Sequence, residues 1–204
     1  MNKTKFINVK GTWKEVLNDC RFTVNKADLD KEPSDAFKKK ILIAEHSPIR
    51  NLIFKWEWLR IPHSVISHFV RHKWEKYVST QRPDRTGVAR GSQDEPQNMR
   101  GEANTQHLID TFRKRLCLQA SANTRTLSED FKRELHTIDP FVADVLVPNC
   151  IYRGGCCEYT RSDPNRCLFY EERFLTKAKE ADVDISDIQA RYDFYNKEYG
   201  NYDK

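Results

Sequence analysis

"NLIFKWEWLRIPHSVISHFVRHKW", residues Asn51–Trp74, changes its apolar period halfway along. Up to Pro62 the pattern alternates: Phe54, Trp56 and Trp58 fall on one side, Lys55 and Glu57 on the other. Successive side chains of an extended backbone point to opposite faces, so this alternation predicts a strand with one buried face. Pro62 suits a first helical position, and after it Val65 and Phe69 form one stripe and Ile66 and Val70 the next. The helix is expected to carry Arg71, His72 and Lys73 at its C-terminal end, where cations favour the macrodipole.

Outward from this stretch the elements are mostly helical. "GTWKEVLNDCRFTV" predicts an amphipathic helix with Trp13, Val16, Leu17 and Cys20 on one face. Ser34 reads as the N-cap of a second helix, "DAFKKKILIAEH", which ends before Pro48 in the turn "HSPIR". Residues 79–103 read as a loop, polar and broken by Pro83, Gly87, Gly91, Pro96 and Gly101, and a loop that long in a compact domain is usually functional or mobile. Helices are expected at Asn104–Ala122 and Thr126–Thr137, then a helical turn running into an apolar segment in "FVADVLVPNCIYRGG". Two more follow in "RCLFYEERFLTKAKEA" and "DISDIQARYDFYNKEYG", the second capped by Ser186. There is no internal repeat, low-complexity tract or domain linker. The expectation is a single α+β domain over residues 1–204, mostly helical around a small antiparallel or mixed sheet.

Composition narrows the function classes. A chain of 204 residues can bury one real core, and its 11 Phe, 8 Tyr and 4 Trp exclude wholesale disorder although 32% of residues are charged. No apolar run is long enough for a membrane span, and "MNKTKFINVKGTW" lacks the apolar segment of a signal peptide, so the expected location is the cytoplasm. The net charge of +5, from 35 cations and 30 anions, suits anionic ligands without requiring nucleic acid. Six cysteines in such a compartment are expected as thiols. Three of them, Cys150, Cys156 and Cys157, lack the paired spacing of a zinc site, so no metal is expected.

The chemistry concentrates in "RHKWEKYVSTQRPDR", residues 71–85. Guanidinium forks fit phosphate oxygens, while the hydroxyls of Ser79 and Thr80 and the Gln81 amide could orient a base. At this level a solvated basic patch and a nucleotide site both stand. A nucleic-acid surface along Arg71–Arg100 is a third reading, against which Glu75, Asp84, Asp94 and Glu95 interrupt the charge. In "CIYRGGCCE", Gly154–Gly155 allow close backbone approach, Arg153 could reach a phosphate, and a thiolate beside it could act as a nucleophile; a tight turn with core cysteines is the plainer reading. His63 and His68, taken alone, read as core or interface histidines.

The order of residues across 41–85 resembles the flavin-dependent thymidylate synthases. His46, Ser47 and Pro48 resemble that family's His-x-Ser/Thr-Pro turn without its intervening residue, Phe54–Trp58 its aromatic strand, and Arg71-His72-Lys73 its Arg-His-Arg with Lys for the last Arg. Thr80-Gln81-Arg82 resembles its Ser-Gln-Arg, with Pro83 where Tyr is expected and no Asn-Glu before Thr80. "VADVLVPNCIYRGGCCEYTR" resembles the family's Leu-Pro stretch and the strand after it, with Arg153 and Arg161 as substitutes for arginines downstream. The resemblance implies a homotetramer with sites shared between subunits. It also implies FAD, reduction by NADPH, and transfer of a one-carbon unit from methylenetetrahydrofolate to C5 of dUMP or a related pyrimidine nucleotide. Carried over, Ser47, Arg71, His72 and Lys73 contact the flavin cofactor, and His68, Thr80, Gln81, Arg82 and Arg153 the nucleotide. Arg71 and Arg82 take the catalytic places.

Overall fold

A computed structural model gives the fold over residues 3–87, 89, 95–155 and 167–200. Its elements begin β1 (Thr4–Lys10), α1 (Trp13–Phe22), α2 (Asp35–Ile43), a 3-10 turn (Ser47–Asn51), β2 (Ile53–Pro62) and α3 (His63–Phe69). Then come β3 (Glu75–Val78), α4 (Pro83–Thr86), β4 (Pro96–Asn104), α5 (Thr105–Arg115), α6 (Ala122–Ile138), α7 (Pro140–Asp144) and α8 (Asn149–Arg153). A π-helical turn (Phe169–Phe174), α9 (Leu175–Glu180) and α10 (Ile188–Tyr199) complete the chain. The fold is α+β, as expected. The described residues form two compact units, one within 1–38 and 46–108 and the other within 39–45 and 109–204.

The first unit is built on an antiparallel sheet of order β1-β2-β4-β3. The alternation in β2 is realised in full: Phe54, Trp56 and Trp58 are each 0% exposed. α3 covers that face, with the Phe69 ring 4.6 Å from Trp58. The Trp58 indole donates to the Thr4 hydroxyl at 2.8 Å, which ties β1 to the same core. α1 starts in a capping box, Thr12 accepting from the Glu15 amide and the Glu15 carboxylate accepting from the Thr12 amide. Ser34 accepts from the Phe37 amide at the start of α2, as its sequence predicts.

Two expectations are corrected here. Residues 79–103 are not all loop, because β4 runs through their end and pairs with both β2 and β3. Its inward positions are Gln97, Met99, Gly101 and Ala103, all of which are buried. One is polar and two are small, so the strand carries little hydrophobic signal of its own. Tryptophans from the neighbouring segments fill the space instead: a Cβ at Gly101 would stand 2.4 Å from the Trp56 ring and 2.6 Å from that of Trp74. A glycine that reads as a breaker is therefore what lets two indoles meet over the strand. The second correction is that α3 stops at Phe69, leaving Arg71, His72 and Lys73 in a turn rather than a final helical turn. A continued helix would place Trp74 on the face of Val70, which is 41% exposed; leaving the helix buries Trp74 to 7%. β1 was not anticipated, its burial being confined mostly to Thr4.

The second unit is helical. Phe112 and Phe131 stack at 4.5 Å between α5 and α6. The segment after Leu146 forms α8, a helical turn, where the resemblance implied a strand. α10 is capped by Asp187, whose carboxylate accepts from the Gln189 and Ala190 amides, and not by Ser186, which donates its hydroxyl to Asp184. Cys20, Cys117, Cys150 and Cys167 form no disulfide and are half-buried, while Cys156, Cys157 and Arg161 lie outside the described residues. No helix among the described residues is long and apolar enough to cross a membrane.

Lys132 on α6 lies wholly inside this unit and donates to the Leu146 carbonyl at 2.8 Å and the Asn196 side-chain oxygen at 2.6 Å. Burial pulls its pKa down to about 7, with the Asp144 charge opposing. A neutral amine has two N–H donors, enough for these two acceptors. Between about pH 7 and the ordinary lysine range the unfolded chain holds one more proton than the folded one, so stability rises with pH there. Above pH 10 the slope reverses, since burial pushes the hydroxyls of Tyr192 and Tyr195 up in pKa and the unfolded chain then ionises first. Urea midpoints from pH 7 to 9.5 are expected to rise, and Lys132→Met to flatten that rise.

Candidate functional site

The strand order sorts the basic residues of the first unit into two places. β2 and β3 both run antiparallel to β4, so both begin at the end of the sheet where β4 finishes. Ser47 heads the 3-10 turn that leads into β2, and Arg71, His72 and Lys73 form the turn that leads into β3. Ser47, Arg71 and Lys73 are exposed, while His72 and, in the last turn of α3, His68 are half-buried. Thr80, Gln81 and Arg82 follow β3 at its other end. At about 3.3 Å per extended residue, Trp74 and Ser79 stand roughly 15–20 Å apart. The expected cofactor set thus shares one end of the sheet and the strip Thr80–Arg82 the other.

The turn at residues 71–74 is firmly built. The His72 amide donates to the Phe69 carbonyl, and the His72 carbonyl accepts from the Trp74 amide at 3.1 Å. That same carbonyl accepts from the Lys76 ammonium at 2.6 Å. Trp74 is held 4.9 Å from Trp56, and the Lys76 ammonium lies 5.4 Å from the Trp74 ring centroid. Two clefts open beside this end of the sheet and share Ile53. One, of about 530 Å³, is lined by Lys73, Trp74, Lys76, Asn104 and His107 among others. The other, of about 790 Å³, is lined by Lys10, Gly11, Thr12, Lys14, Arg50 and neighbouring acidic residues. Glu102, at the first cleft, is held below the usual carboxylate range by the Lys10 ammonium on it, the Lys55 charge adding to the effect.

At the far end the strand pairing continues one residue, the Ser79 amide donating to Asn98 and the Ser79 hydroxyl accepting from the Asn98 amide. Thr80 then accepts from the Arg82 amide at 3.2 Å. The Gln81 amide nitrogen is enclosed and has no hydrogen-bond partner among the described residues. Arg82 is engaged by Asp84, its guanidinium donating at 3.0 and 2.6 Å to the two carboxylate oxygens. Both side chains are more than half exposed, at 65% and 57%, so the pair is worth at most about 1 kcal/mol and can be exchanged for a phosphate. Arg153 is exposed at the end of α8 in the second unit.

Sequence reasoning gave no role to Lys76, Trp74 or His107. The only signal at Lys76 was its membership of the basic run; its bond to the His72 carbonyl depends on a turn that the helical reading removed. No group of three or more metal-ligating side chains occurs among the described residues. No protein-family model and no curated protein matches the chain. Among solved structures the chain is similar to a UMP/dUMP methylase, PolB from Streptomyces cacaoi, crystallised with 5-Br dUMP. The TM-score is 0.57 at 10% identity, covering 70% of this chain and 93% of that one. At that identity the likeness is one of fold.

Proposed function

We propose that the chain is an enzyme like the flavin-dependent thymidylate synthases, transferring a one-carbon unit from methylenetetrahydrofolate to C5 of dUMP or a related pyrimidine nucleotide. Support comes from the fold likeness to a UMP/dUMP methylase, together with the motif order across residues 41–85. The observation that carries the reading is the cationic turn. Arg71 and Lys73 are exposed, neither is committed to an ion pair among the described residues, and a cleft of about 530 Å³ lies beside Lys73. That donor set fits the phosphates of FAD, which would be held by Arg71, His72, Lys73 and Ser47. Bound flavin, reduced by NADPH, supplies the electrons, and the protein's task is to orient and to neutralise charge.

Thr80, Gln81 and Arg82 would hold the nucleotide. The Arg82 fork would exchange Asp84 for the phosphate, and the enclosed Gln81 amide would gain an acceptor. One subunit places these residues at the opposite end of β3 from Arg71. A homotetramer, in which the flavin end of one subunit meets the nucleotide end of another, brings the two sets together. His68 completes the nucleotide set in this reading. The test is turnover: purified protein with FAD, NADPH, methylenetetrahydrofolate and dUMP is expected to form dTMP, detected by chromatography. Binding of dUMP with neither flavin uptake nor product would replace this reading with a nucleotide-binding protein of the same fold.

A further inference from the structure

We infer that Lys76 is a positioning residue that sets the shape of the phosphate-binding turn, acting through the backbone of His72 and not by touching the ligand. The inference rests on the proposed function. Its basis is the His72 carbonyl, whose two lone pairs are both taken, by the Trp74 amide at 3.1 Å and by the Lys76 ammonium at 2.6 Å. The second is a charge-assisted bond, stronger than a neutral one, and it lies just past the end of α3 where the helix dipole is negative. Lys76 stands opposite Gly101 in the β3–β4 register, on the face where the Trp74 ring also reaches over that glycine. The ammonium lies 5.4 Å from that ring.

The turn is therefore fixed from two sides. Trp74 is clamped against Trp56 in the core, and Lys76 pins the carbonyl two residues before it. Lys73 lies between these anchors, and Arg71 lies just before them, inside the turn closed by the His72 amide on the Phe69 carbonyl, so both have little backbone freedom and their side chains are presented in one arrangement. A site whose donors are held in place loses less entropy on binding than one that must order them. Lys76 is spent on the protein's own carbonyl, which separates its role from the direct phosphate contacts given to Arg71 and Lys73.

The experiment compares wild type, Lys76→Met, Lys76→Gln and Lys76→Arg as full chains, with FAD as the probe. Flavin fluorescence quenching gives the dissociation constant, near-UV circular dichroism reports the Trp56–Trp58–Trp74 cluster, and melting checks the fold. Lys76→Met is expected to bind FAD at least 10-fold more weakly and to change the near-UV spectrum. Lys76→Arg, which keeps charge and donor, is expected to restore both to near wild type. Lys76→Gln, which keeps a donor without the charge, is expected to fall between them and serves if the Met variant does not fold. FAD affinity unchanged in Lys76→Met overturns the inference while the proposed function stands. Equal loss in all three variants with an unaltered near-UV spectrum also overturns it, since that pattern marks direct contact. Absence of FAD binding by wild type removes the function and this inference together.

Discussion

Gly101→Ala is expected to destabilise the protein by about 3 kcal/mol or more, at the upper end of what overpacking a core causes. The added methyl would lie 2.4 Å from a ring atom of Trp56 and 2.6 Å from one of Trp74, where real Cβ atoms do not approach. Neither indole can swing aside easily: Trp56 is 0% exposed and sits 5.6 Å from Trp58, and Trp74 lies 4.9 Å from Trp56. β4 cannot retreat either, because it is hydrogen-bonded on both edges, to β2 and to β3. Urea unfolding followed by tryptophan fluorescence checks this, with Gly155→Ala as the control, since a Cβ there meets nothing within 4 Å among the described residues. Adding Trp74→Leu to Gly101→Ala is expected to recover part of the loss, as coupled neighbours do.

Arg71→Ala is the functional counterpart. If the Arg71 guanidinium holds a flavin phosphate, its removal deletes a charge-assisted, bidentate contact worth about 1.5–3 kcal/mol, a 10- to 100-fold weakening. The expected result is loss of retained flavin and of turnover, with the melting temperature unchanged because Arg71 is exposed. Arg71→Lys is expected to recover only part, since a point charge replaces a planar fork. Flavin content equal to wild type in Arg71→Ala would remove the cationic turn from the site.

Much of the first unit was legible because β2 and α3 carry strong, unmixed periods: three buried aromatics alternate with charges, then apolar pairs repeat at helical spacing. β4 was not, because its buried face is made of Gln97, Met99, Gly101 and Ala103, and the hydrophobic mass comes from Trp56 and Trp74 elsewhere in the chain. The end of α3 was misplaced for a related reason. Dipole and charge favoured a helix through Lys73, yet burying the Trp74 indole outweighs the few tenths of a kcal/mol that cations gain at a helix end. At α10 two neighbouring residues could cap, and only the backbone geometry selects Asp187 over Ser186. In the site, residue types left a solvated basic patch and a phosphate site both open, and the Arg82–Asp84 pair and the Lys76–His72 bond depend on turns that no periodicity encodes.

The central claim is that the turn at residues 71–73 holds a flavin and the strip at 80–82 a pyrimidine nucleotide. The visible absorption spectrum of the purified protein, taken after FAD is added and unbound flavin removed and again after dUMP, tests it most directly. The account predicts a retained flavin band whose shape changes when dUMP is added. A colourless protein, with a melting temperature that neither FAD nor dUMP alters, would contradict it.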